Sequence, residues 1–151
     1  MRFMGIIFGV LFLFTAATVP VQAADQRDEA VKMVQSAVAF YKANGLEKSL
    51  DEFSKTNGAF NKGEIYIFIY DLSGNMLAHP NSKLIGQNMM DLPDASGKKY
   101  HRREIIATAI KDGKGWTDYK YQNPKSKEIE EKTTYYEKID DIVICCGVYK
   151  K

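Results

Sequence analysis

Two periods of apolar and polar positions divide this chain. From Asp25 to Lys42, Ala30, Val34, Ala37, Val38 and Tyr41 recur at the spacing of one helix face. Asn44-Gly45 stops that helix, and a shorter one follows with Leu46, Leu50 and Phe53 on one side, ending near Asn57-Gly58. At "KGEIYIFIYD" the period drops to two. Ile65, Ile67 and Ile69 alternate with Tyr66, Phe68 and Tyr70, so both faces of this strand are apolar and both must be covered. "DLSGN" is the turn, with Asp71 accepting from the backbone after it and Gly74 supplying a left-handed residue. "NMLAHP" is the antiparallel partner, cut off by Pro80, which cannot donate to the ladder. His79 projects where that strand ends.

Asn81 to Lys98 reads as irregular, with Gly86, Pro93 and Gly97 as punctuation. "KKYHRREIIATAIKDG" predicts a helix with Ile105, Ile106, Ala109 and Ile110 inward. Three strands follow as a meander: "GWTDYKYQ", "IEEKTTYYEKI" and "DIVICCGVYK". This order predicts an α+β domain, a PAS-like five-stranded antiparallel sheet. The long N-terminal helix covers one face, and the crossing segment from Asn81 to Gly113, with its helix, covers the other.

Composition adds a compartment. The chain has 151 residues and a formal net charge of +2, which suits one domain. Arg2, the apolar run "GIIFGVLFLF" and the small residues of Val21-Gln22-Ala23 predict a signal peptide over residues 1–23, cut after Ala23. An uncleaved anchor is the other reading. Residues 24–151 then form the domain, in the periplasm or secreted. A charge this near neutrality argues against nucleic acid or an anionic membrane as partner. Cys145 and Cys146 are neighbours in a strand, point to opposite faces, and read as two small apolar residues, their oxidation state open. There is no C-x-x-C-H, and two histidines are too few for a zinc site, so no metal and no cofactor are expected. No serine or cysteine stands in a recognisable nucleophile motif, and no glycine-rich phosphate loop appears; the chain is not read as an enzyme.

The residues also carry a resemblance. "YIFIYDLSGNMLAHPNSKLIGQNMMDLPDASGKKY", then "GKGWTDYKYQNP" and "EKTTYYEKIDDIVICCGVYK", resemble the single Cache domain family of extracytoplasmic sensors from about Phe60 to Tyr149. The motifs are Y-x-F-x-Y-D followed by L-A-H-P, then G-W-x-D-Y, the N-P pair, K-x-x-Y and the terminal G-V-Y. Cys145-Cys146 departs from the small or aliphatic residues expected there. The resemblance implies detection of a small metabolite, often a short carboxylate such as acetate, propionate or pyruvate. It implies signal transduction or chemotaxis through a separate membrane receptor or sensor kinase, and a homodimer through the N-terminal helix.

A buried anion needs a cation or several donors, and its tail needs an apolar wall. Lys132, inside a strand, is the candidate cation. His79 offers a donor in either protonation state, although it could instead bond its own turn. Tyr66, Tyr119 and Tyr135 offer hydroxyls, while Phe68 and Trp116 offer apolar surface. Strand parity limits this set. Lys132 and Tyr135 are three apart and face opposite sides of a straight strand, as do Trp116 and Tyr119. His101, in "KKYHRR", reads as solvated. The competing reading is a protein-interaction module with a degenerate pocket, which modulates a receptor or self-associates.

Overall fold

The computed structural model describes residues 21–150, with the backbone alone described for residues 21–24. Most of the expected leader, residues 1–20, lies outside the described residues. Helix α1 (Val21–Asn44) is followed directly by α2 (Leu46–Phe53), the two joined at Gly45, whose φ of 81° is left-handed. Strands β1 (Ile67–Asp71) and β2 (Met76–Ala78) form the hairpin. A short 3-10 turn (Ser82–Leu84) and α3 (His101–Asp112) lie in the crossing segment. Strands β3 (Lys114–Gln122), β4 (Ile129–Ile139) and β5 (Ile142–Tyr149) complete one antiparallel sheet in the order β2-β1-β5-β4-β3. The two sequence-adjacent hairpins are thus joined through β5, which pairs with β1 at the centre.

Strand alternation sorts the core into two layers. Ile65, Ile67 and Ile69 face α1, packing with Ala30, Met33, Val34 and Ala37 and with Ile144, Cys146 and Val148 of β5. Tyr66, Phe68 and Tyr70 face the other way, with Val143 and Cys145, toward Ile105, Ile106 and Ala109 of α3. Cys145 and Cys146 are both buried and free, one in each layer. Both faces of β1 are covered, as its two apolar sets require.

Two helix faces differ from expectation. Leu46 is 43% exposed, and Ser49, bonded to the Gly45 carbonyl at 2.7 Å, is buried with Phe53 instead. Ile110 is 56% exposed. At 3.6 residues per turn the buried stripe of α3 runs 102, 105–106, 109 and has passed position 110 by its next turn.

The turn after β1 is held by Asp71, whose Oδ1 accepts from Ser73 N and Asn75 N, both at 2.9 Å. Gly74 is left-handed at φ 82°, and a Cβ there would fall 2.2 Å from Met90, which folds back over the turn. The loop before α3 is anchored to β3 by Asp94, which accepts from the backbone N–H groups of Ser96 at 3.1 Å and Lys120 at 3.0 Å. Burial raises its carboxyl pKa, but the Ser96 hydroxyl, donating at 2.5 Å, and these backbone N–H groups outweigh burial and hold it far below the usual range.

Phe53 sits at the junction of α2 with the sheet, its ring 4.7 Å from Phe60 and 5.7 Å from Phe40. Phe53→Ala should destabilise the domain by about 3–5 kcal/mol in a denaturant titration. A change below about 1 kcal/mol would show that α2 contributes little to this layer.

Candidate functional site

Between the sheet and α3 the second layer closes around a small cavity, and four strands place side chains on it. Lys132 lies in the first half of β4, paired across to Tyr119 of β3 and Tyr149 of β5. Its side chain is 1% exposed. The amine donates to the Tyr66 hydroxyl at 3.0 Å and lies 4.5 to 5.6 Å from the ring centres of Tyr66, Tyr149, Tyr121 and Phe68. Rings offer a cation their electron-rich faces but do not neutralise it. Burial accordingly lowers the Lys132 pKa from 10.5 to about 8.

Gly147 makes room for that side chain. It pairs with Thr134 across the β4–β5 ladder, on the face that Lys132 occupies. A Cβ at position 147 would stand 2.1 Å from Lys132 Cε and 2.6 Å from Thr134 Oγ1. The lysine therefore lies across β5 because that strand has no side chain there.

A second cation arrives from the other side. Arg102, in the first turn of α3, is 5% exposed; its Nε donates to Tyr70 Oη at 3.4 Å and its Nη1 to the Leu92 carbonyl at 3.2 Å. Lys132 and Arg102 both line the cavity and no acidic side chain does. Neither forms an ion pair among the described residues.

Two neutral imidazoles complete the site. His79, one residue past β2, accepts from the Asn81 N–H at Nδ1 (2.8 Å), which leaves its hydrogen on Nε2. So His79 both bonds its own turn and lines the cavity. Burial, reinforced by Lys132 and Arg102, depresses its pKa to about 3. His101 is 1% exposed, stacked on Tyr119 at 3.8 Å, with Nδ1 lacking a hydrogen-bond partner. Burial and Arg102 likewise depress its pKa to about 3. Near neutral pH the positive charge of the site comes from Lys132 and Arg102 alone.

Of the residues expected from sequence, Tyr66, Phe68, His79, Tyr119 and Lys132 meet at this cavity. Trp116 and Tyr135 do not. They pair with one another on the α1 face, rings 5.2 Å apart, with the Arg27 guanidinium 4.1 Å above the indole. The period of two places them there: both ladders are regular, and no bulge returns either residue to the face of Lys132. Arg102, His101, Tyr70, Met76 and Tyr121 also line the cavity and were missed. For the first two a signal existed. His101 is four residues before Ile105 and Arg102 four before Ile106, so both extend the buried stripe of α3.

The cavity itself is about 10 Å³, the lower limit for one water molecule. Beside it an open cleft of about 650 Å³ runs past Asn57, Asn61, Lys62 and Asn81, and Tyr66 and His79 border both spaces. Among the described residues no helix is long and apolar enough to cross a membrane, and no cluster of ligating side chains could hold a metal ion.

Residues 21–151 match the family model described as Cache domain. A structure described as the basis for carboxylic acid recognition by a Cache chemosensory domain superposes with a TM-score of 0.70 at 25% identity, covering 89% of this chain and 99% of that one. A methyl-accepting chemotaxis protein from Vibrio parahaemolyticus gives 0.71 at 20% identity, covering 85% and 90%. The sensor histidine kinase MctS of Rhizobium johnstonii is 39% identical over 87 residues, 56% of this chain but only 18% of that protein.

The lysine carries a stability cost with a defined pH dependence. Its folded-state pKa lies below the ordinary 10.5, so the unfolded chain binds more protons between about 8 and 10.5 and wild-type stability rises across that window. Lys132→Met should therefore be more stable than wild type at pH 7, by about 1–3 kcal/mol in urea, and the gap should narrow as pH climbs. A gap independent of pH, or a less stable variant, would contradict the assignment of an uncompensated buried charge.

Proposed function

The chain belongs to the Cache domain family, and from that we propose an extracytoplasmic sensor domain whose inner cavity binds a short carboxylate such as acetate, propionate or pyruvate. The observation that carries this reading is the convergence of Lys132 and Arg102 on one buried space with no acidic side chain on its wall. Fold alone would not suffice, since one fold hosts many functions. A carboxylate supplies the missing counter-charge, and in a dry site that interaction is strong. The Tyr66 and Tyr119 hydroxyls and the His79 Nε2–H supply donors, with Phe68 and Met76 as apolar wall. The likeness to a domain that recognises carboxylic acids supports the same class.

We place the domain in the periplasm or outside the cell, reporting to a membrane receptor or sensor kinase; the apolar leader and the chemotaxis and kinase relatives support this. Self-association through α1 would join polar faces, since Asp28, Lys32, Gln35 and Ser36 are exposed. The tightness of the cavity favours a second reading, a degenerate pocket in an interaction module. Against it stands the cost of keeping two unpaired cations inside for no ligand.

Affinity is bounded by ligand size. Acetate has about four heavy atoms, and at roughly −1.5 kcal/mol each the ceiling is about −6 kcal/mol, tens of micromolar. In a thermal-shift screen with millimolar C2 to C4 carboxylates, saturation at about 100-fold over Kd adds about 2.7 kcal/mol, several degrees. Affinity should be flat from about pH 6 to about pH 8, where the ligand is ionised and Lys132 charged, and fall above that as Lys132 loses its proton. A flat screen, with capture of a receptor periplasmic domain, favours the interaction module.

Gly147→Ala tests the placement of the amine without removing it. It should weaken carboxylate binding at least about tenfold in calorimetry, as Lys132→Met does, with the circular dichroism spectrum retained. Unchanged affinity would mean that the lysine position is not what binds the acid.

A further inference from the structure

The inner cavity, about 10 Å³, is smaller than any carboxylic acid, so a ligand must displace part of the wall. Most of that wall cannot yield. Phe68, Tyr70 and Met76 are packed into the layer beneath α3. Tyr119 borders another surface space, but its hydroxyl is held by Thr134 Oγ1 at 2.8 Å and its ring by His101 at 3.8 Å. That space is lined by Lys99, Lys120 and Lys150 as well as Asp94, Asp118 and Glu131, so it is the anchored Tyr119 ring rather than charge that closes this side. Tyr66 belongs to the layer beneath α3 too, but it and His79 are the wall residues that also border the open cleft. Their rings meet edge to face at 5.2 Å, and behind them lies the 650 Å³ cleft. No acidic side chain lines that cleft, and Lys62 is the charged group on it.

Resting on the carboxylate reading above, we propose that Tyr66 and His79 form the movable partition of the site, displaced toward the cleft by the ligand's carbon tail, and so determine which chain lengths bind. The acid's charged end meets Lys132 and Arg102, and its tail runs toward the partition. A rigid partition admits only short tails. With either ring cut away, the inner space joins the cleft and the tail can extend into it.

The two rings have separable roles. The Tyr66 hydroxyl accepts from Lys132, whereas its ring forms the wall. Tyr66→Phe keeps the wall and removes the hydroxyl; Tyr66→Ala removes both; His79→Ala opens the other half of the partition.

The experiment is calorimetric titration of the full chain and the three variants with straight-chain monocarboxylates from acetate to octanoate. Wild type and Tyr66→Phe should share one length profile, highest among the short acids, with Tyr66→Phe weaker throughout. Tyr66→Ala and His79→Ala should shift the optimum to longer acids. Each methylene newly buried is worth a factor of roughly four, so hexanoate should gain about tenfold or more relative to propionate. If Tyr66→Ala does not fold, His79→Ala carries the same test. Wild type binding short acids while both alanine variants keep its profile would overturn the partition and leave the carboxylate reading standing. Wild type binding none of the series would overturn that reading and the partition with it.

Discussion

A charged amine inside a protein, with aromatic rings around it and no carboxylate beside it, is costly, and the inner layer of this domain is arranged to bear that cost. The regular β3–β4–β5 ladder sets Lys132 between Tyr119 and Tyr149. The missing side chain at Gly147 lets the lysine lie flat across β5. Tyr66 accepts one amine hydrogen, and four rings face the remaining charge. Arg102, brought by α3 to the same space, adds a second positive charge where packing alone would favour an apolar residue. The imidazoles of His79 and His101 respond by staying neutral. One unmet electrostatic demand thus accounts for the chemistry of the layer.

The division of labour between the two layers follows from strand parity. The α1 face has an aliphatic centre, Ile67, Ile69, Ile144 and Val148 against Ala30, Val34 and Ala37, with aromatic rings such as Phe53 and Trp116 packed around it, and it supplies stability. The α3 face is aromatic and polar, with tyrosines whose hydroxyls are bonded to Thr134, Thr117 and Lys132. Aromatic rings with a polar tip can wall a cavity and still present donors to it. The sheet order β2-β1-β5-β4-β3 pairs β1 with β5, which is why residues far apart in sequence, such as Tyr66 and Tyr149, both approach the Lys132 amine.

Much of this was legible in the sequence, because a period of two leaves little freedom. Alternation in "IYIFIY" foretold two covered faces, and the spacing of Lys132 from Tyr135, and of Trp116 from Tyr119, foretold that only one of each pair could reach the cavity. Trp116 and Tyr135 were still named as candidates, and the regular ladders put them under α1. Arg102 and His101 were harder to see. A run such as "KKYHRR" has the composition of a solvated face, and only stepping back four residues from Ile105 and Ile106 shows which two of its members turn inward. The size of the cavity was not legible at all, since it depends on side-chain packing among residues distant in sequence, as between Tyr66 and His79.

The central claim is that Lys132 is an uncompensated interior cation awaiting an anion, and the most direct measurement is the titration of its amine. Heteronuclear NMR of the Lys132 side chain, with and without a saturating short carboxylate, reads it. The account predicts a pKa near 8 for the protein alone, moving upward when the acid is present. An amine that titrates near the ordinary 10.5 from the start, or one whose pKa does not move with bound acid, would contradict it.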